Sequence, residues 1–150
     1  MSDQPDYRCT TPCVGLCSTV YGDLVCRGCK RFSHEVIDWN RYNVPEKAAV
    51  WQRLEQLLKQ VVMARVEVIS VVALRAALER LQVKVPADAS LALHVLRLIP
   101  RVEEGGLPAC GLRLRSHCAT LNLKQLRDEL DSAYFELSCA YHERRIKAVR

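Results

Sequence analysis

Apolar positions along this chain fall into helical periods only after about residue 33. Ser33, with Glu35 in the next turn, reads as an N-cap and predicts a short helix from 34 to about 42. Asn43-Val44-Pro45-Glu46 restarts the pattern. It offers a cap, a proline near the helix start and an acid three residues after the cap. Val44, Ala48, Trp51, Leu54, Leu58 and Val61 then recur every three or four residues, as one face of a second helix. From 61 to 72 the run Val-Val-Met-Ala-Arg-Val-Glu-Val-Ile-Ser fits a strand as well as a helix, and a break is expected near 68–70. Ser70 then caps a helix reaching 81, with Leu74, Ala77, Leu78 and Leu81 on one side. Pro86 ends that stretch, Asp88 or Ser90 begins another, and Pro100 closes it. Residues 103–108 form a loop. Leu112 and Leu114 alternate with Arg113 and Arg115, as in a short strand or extended connector.

The clearest helix is the last, from about 121 to 147, roughly 40 Å long at 1.5 Å per residue. Leu123, Leu126, Leu130, Ala133, Leu137 and Ala140 step by three and four along it. Its seam is expected to cover the helices of 61–99, with Arg127, Glu129 and Glu136 outward. On that reading the N-terminal residues stand without it. The fold class is mainly α: a small Cys-ligated module over 1–58 with two short helices, then a helical, bundle-like extension over 59–150.

Composition narrows the function. A chain of 150 residues with 49% hydrophobic content can bury a real core. The first 58 residues carry seven basic and seven acidic side chains, so the net charge of +5 lies in the remainder. A surplus that small, spread over many helical turns, is the charge of a solvated surface more than of a nucleic-acid footprint. The apolar stretch 61–81 is interrupted by Arg65, Glu67, Arg75, Glu79 and Arg80, which excludes an ordinary membrane span. The start, Met1-Ser2-Asp3-Gln4-Pro5-Asp6, is polar and has no secretory pattern, so a cytoplasmic location is expected. In a reducing compartment, eight cysteines serve as ligands or buried thiols rather than disulfides. No G-x-S-x-G, P-loop, H-E-x-x-H or dinucleotide-type glycine run is present, and no catalytic residue is assigned.

Cys13, Cys17, Cys26 and Cys29 read C-x3-C-x8-C-x2-C. Two close thiolate pairs at that spacing can converge on one soft metal ion or a small cluster. Gly28 is expected to turn the second pair with a positive φ, so that both sulfurs face one side. A closed four-thiolate site suits zinc, and an iron–sulfur cluster takes the same ligands; spacing does not separate them. Such a site would supply on the order of 10 kcal/mol of folding free energy to a segment with little core. Cys9 extends the run to C-x3-C-x3-C and is a candidate extra ligand or redox partner, as is His34, five residues beyond Cys29. A weaker second constellation comprises Cys110 and Cys118 with Cys139 and His142, the last two sharing a helix face at i, i+3; His117 adjoins Cys118. Buried structural thiols explain these as well.

Thr11-Pro12-Cys13-x3-Cys17, Cys26-Arg27-Gly28-Cys29-x-Arg31, Glu35-x3-Trp39 and Glu46-x4-Trp51-x2-Leu54 together resemble the small YdhL-like domain. This is a bacterial family of unknown function catalogued as predicted iron–sulfur proteins. The resemblance spans about residues 9–58. It implies that Cys13, Cys17, Cys26 and Cys29 are the ligands, and that Trp39 and Trp51 belong to the two helices supporting them. It implies no reaction. The function expected is a non-catalytic metal-binding module, holding zinc or an iron–sulfur cluster, that presents a helical surface to a protein partner. An iron–sulfur electron-transfer or redox-sensing accessory and a zinc-dependent nucleic-acid binder are the alternatives.

Overall fold

The computed structural model describes residues 11–15 and 17–149. It is mainly helical. The elements are α1 (Ser33–Asp38), α2 (Val44–Met63), β1 (Val66–Val68), α3 (Val71–Arg80), α4 (Leu91–Leu98), β2 (Leu112–Leu114) and α5 (Leu123–Val149), joined by short 3-10 turns. They group into two compact units, Met1–Leu57 with Tyr134–Arg150, and Leu58–Ala133. Residues 134–150 thus belong with the cysteine-rich segment, where the sequence pattern put them in a 59–150 extension. No helix of the described residues is long and apolar enough to cross a membrane.

In the first unit the chain doubles back over residues 24–33. Val25 and Phe32 form an antiparallel bridge, and the Ser33 N–H donates to the Leu24 carbonyl at 2.9 Å. That bridge fixes Phe32 in extended backbone (φ −71°, ψ 152°), so Phe32, not Ser33, is the N-cap of α1. The Glu35 carboxylate reaches back to accept the Phe32 N–H at 2.8 Å. α2 begins with a full capping box: the Glu46 N–H donates to Asn43 Oδ1 at 2.9 Å, and the Asn43 N–H to Glu46 Oε1 at 3.2 Å. With 20 residues α2 is not short. Val44 is exposed, and the buried face starts further along, at Val50. Trp39, Val50, Trp51 and Leu54 form one cluster with Tyr42 packed against it, so both tryptophans are buried. Trp51→Ala is expected to cost about 3 kcal/mol, the low end for deleting an enclosed large aromatic. Urea denaturation measures it, and an unchanged midpoint would mean that Trp51 contributes nothing to the core.

The second unit is held by a two-stranded antiparallel sheet. Val66, Glu67 and Val68 face Leu114, Arg113 and Leu112 respectively. The 61–72 stretch is thus helix to Met63 and strand from Val66. Ser70 caps α3 by accepting the Ala73 N–H at 3.1 Å, and Ser90 caps α4 by accepting from Leu93 at 3.4 Å. Gly111 precedes β2 with φ 73°, and its carbonyl accepts the N–H groups of Ile69 and Ser70. A Cβ there would lie 2.5 Å from the Ser70 carbonyl oxygen, so only glycine fits. Asn122 and Gln125 cap α5 reciprocally at 2.8 and 3.0 Å. Leu123, Leu126 and Leu130 are buried here, with Arg127 and Glu129 outward as expected. The seam does not continue on the same residues. In the first unit Leu137 is only half-buried and Ala140 is exposed, while Ser138 is fully buried.

Candidate functional site

Cys26 and Cys29 flank the tight turn at the end of the doubled-back segment. The Cys26 N–H donates to the Arg31 carbonyl at 2.8 Å, and the Cys26 carbonyl accepts from Lys30 at 2.9 Å. The left-handed residue of this turn is Lys30, at φ 66°, and not Gly28 as expected. A lysine tolerates that conformation because its side chain is anchored locally. Its ammonium donates to the Arg27 and Gly28 carbonyls and lies 5.5 Å from the Tyr134 ring centroid, with only 2% of the residue exposed.

The two sulfurs sit in distinct environments. Burial alone would push the Cys26 thiol up, but N–H groups of Cys29, Ser18 and Gly28 and the Cys29 thiol outweigh it, and the pKa falls to about 7. Burial pushes the Cys29 thiol up, although Arg31 Nε donates to its sulfur at 3.2 Å. Arg31 is itself buried, its guanidinium 5.0 Å from the Trp39 ring centroid. The preceding segment is tied to the turn through Ser18, whose hydroxyl accepts the Arg27 N–H at 2.8 Å.

Cys26 and Cys29 are thus brought together. Cys13 is exposed, and its sulfur accepts the Gly15 N–H at 3.4 Å; half-buried Cys17 pairs with the Thr19 hydroxyl at 3.0 Å. Among the described residues no group of three or more His, Cys, Asp or Glu side chains is positioned to hold a metal ion. The first two thiols are engaged by their own segment. Cys9 lies outside the described residues. His34 is exposed, its ring 5.9 Å from that of Phe32.

The weaker constellation is divided between the units. Cys110 and Cys118 are buried in the second, and Cys139 and His142 are half-buried in the first; His117 is exposed. The His142 ring meets Phe32 edge-on at 4.6 Å, and burial, then the neighbouring His34, pulls its pKa down. Burial pushes the Cys139 thiol up. None of the seven described cysteines is in a disulfide.

The spacing gave no sign of a buried ion pair. Arg53 grips Glu35 with both terminal nitrogens at 2.5 and 2.6 Å, and its guanidinium lies 3.9 Å from the Phe32 ring centroid. Glu35, Arg53, His34, Tyr42, Glu46 and Arg145 are among the residues lining a polar cleft of about 450 Å³. Burial, then the Glu35 carboxylate, pushes the Tyr42 phenol up. The partners are 18 residues apart, on α1 and α2, so no local period links them.

No curated protein and no solved structure matches the chain. Residues 11–58 match a family model described as "Protein of unknown function (DUF1289)", a segment that holds the four clustered cysteines, both tryptophans and the Glu35–Arg53 pair.

Proposed function

We propose that the first unit is a non-catalytic metal-binding module in a protein that offers a helical surface to a protein partner. The observation that supports this most is the turn holding Cys26 and Cys29 together, with backbone N–H donors directed at the Cys26 sulfur. Donors of that kind favour the thiolate, which is the ligand form of cysteine. The donor chemistry suits a thiolate-ligated centre: Cys26 and Cys29 would fill two positions, and Cys13 and Cys17, on the segment tied to the turn through Ser18, would have to close on them to fill the other two. When bound, the metal would supply a cross-link to a stretch with little apolar core. The resemblance to predicted iron–sulfur proteins makes a cluster the alternative to zinc, and a cluster would bring electron transfer or redox sensing within reach.

Metal analysis and absorption spectra of anaerobically purified protein test the proposal. We expect either stoichiometric zinc and no colour, or iron with sulfide and a broad band near roughly 400 nm. Cys26→Ser and Cys29→Ser should each lose most of the metal. Zinc and iron at trace levels in the wild-type protein, or unchanged loading in both variants, would refute it.

A further inference from the structure

We propose that the outer edge of β2 is a docking site for an extended segment of a partner protein, with apolar residues alternating with acidic ones. This is independent of the metal reading, because the edge lies wholly within the second unit.

The argument starts from the ladder. The Arg115 N–H donates to the Arg65 carbonyl at 2.9 Å and the Ile69 N–H to the Gly111 carbonyl at 2.7 Å. With Glu67 opposite Arg113, these are the hydrogen-bonded pairs of an antiparallel ladder. Leu114 therefore falls at a non-hydrogen-bonded pair, with its N–H and C=O directed away from β1. Neither group has a partner among the described residues. The same edge is closed one pair earlier, where the Leu112 N–H donates to the Leu107 carbonyl at 3.1 Å.

A cleft of about 580 Å³ runs beside this edge. It is lined by all three residues of β2, so it follows the length of the strand. Its other walls include Ile69, Leu107, Ala119, Leu121, Leu123 and Glu104, whose carboxylate is occupied in accepting the Leu123 N–H at 2.7 Å. Ile69 is 56% exposed, which leaves an apolar rim. Unpaired backbone groups flanked by an apolar cleft are what strand addition uses: main-chain bonds give affinity and side-chain pockets give selectivity.

Charge decides the occupant. A second copy adding β2 to β2 about Leu114 would set Arg113 of each strand against Arg115 of the other. Like charges directly opposite destabilise a sheet. A segment with an apolar residue opposite Leu114 and an acid on either side would meet both arginines favourably. The apolar residue shares the face of Leu112 and Leu114, and the acids share that of Arg113 and Arg115. Both arginines are exposed and keep donors to spare, Arg113 carrying an ion pair to Glu67 at 2.6 Å and Arg115 donating from Nε to the Met63 carbonyl at 2.7 Å.

The probe is a fluorescent peptide, Val-Glu-Val-Glu-Val between glycines, titrated by anisotropy against the full chain. Binding is expected, with slowed hydrogen exchange at the Leu114 amide. Lysine in place of glutamate should weaken binding at least about tenfold. Leu114→Pro removes an outward N–H that the β1 ladder does not use, and should also weaken it about tenfold. Ala119→Trp, at an exposed position lining the cleft, adds bulk to it and should do the same. Thermal melts on both variants check that each remains folded. No binding, equal binding of the two peptides, or wild-type affinity in both folded variants would overturn the proposal. So would a Leu114 amide protected without peptide in a chain that sediments as a dimer, which would assign the edge to a second copy.

Discussion

Ending the chain at Ala133 is expected to unfold the cysteine-rich unit, because residues 134–150 belong to it. The second half of α5 carries much of that unit's interior. The Tyr134 hydroxyl donates to the Leu54 carbonyl at 3.0 Å, and its ring faces the Lys30 ammonium. The Arg27 guanidinium lies 4.6 Å from the Phe135 ring centroid, and His142 closes over Phe32. Ser138 is fully buried with its hydroxyl bonded to the Tyr134 carbonyl at 2.8 Å. Two partly buried aromatics alone are worth on the order of 5 kcal/mol at about 25 cal/mol per Å². A domain's whole stability is only about 5–15 kcal/mol. Without the helix, the Lys30 ammonium would also lose the ring it faces, in a turn already held at positive φ. Circular dichroism and amide hydrogen exchange on a chain ending at Ala133 would measure this. Retained protection at Cys26, Phe32 and Leu54 would show that the first 57 residues fold without residues 134–150.

The sequence pattern anticipated α5 as a helix but not the division of labour along it. A period of three and four identifies an apolar face only while that face is apolar. In the first unit the interior line passes through Tyr134, Ser138 and His142, which a hydrophobicity pattern reads as surface. Local signals fared better. Asn43 with Glu46, Ser70 and Ser90 all sit at helix starts, because a cap is decided by side chains within four residues. Ser33 misled because a tertiary contact, the Val25–Phe32 bridge, moved the cap back by one residue. The same limit applies at the site. The C-x2-C spacing marked the pair that lies together, since a four-residue turn is local. That Lys30 would take the left-handed position depended on carbonyls and a ring that only the folded chain supplies.

Removing either partner of the Glu35–Arg53 pair should cost about 3–5 kcal/mol, the usual penalty for leaving one buried charge uncompensated. Both residues are more than nine-tenths buried, Glu35 at 3% exposure and Arg53 at 8%. Arg53→Lys should not rescue it, because one ammonium cannot make the two parallel bonds or stack flat on Phe32. The two single losses should not add. Once Glu35 is gone, removing Arg53 takes away the orphaned charge, so the double variant Glu35→Leu/Arg53→Met should recover most of the stability. What stays lost is the acceptor for the Phe32 N–H, on the order of 1–3 kcal/mol for a buried donor left unpaired. A denaturation double-mutant cycle gives the coupling directly, and strictly additive losses would mean that the pair is not energetically linked. The pair joins α1 to α2 while Glu35 holds the backbone of Phe32, three residues beyond Cys29. The single variants should therefore loosen the cysteine turn as well, and the double variant should hold it better than either.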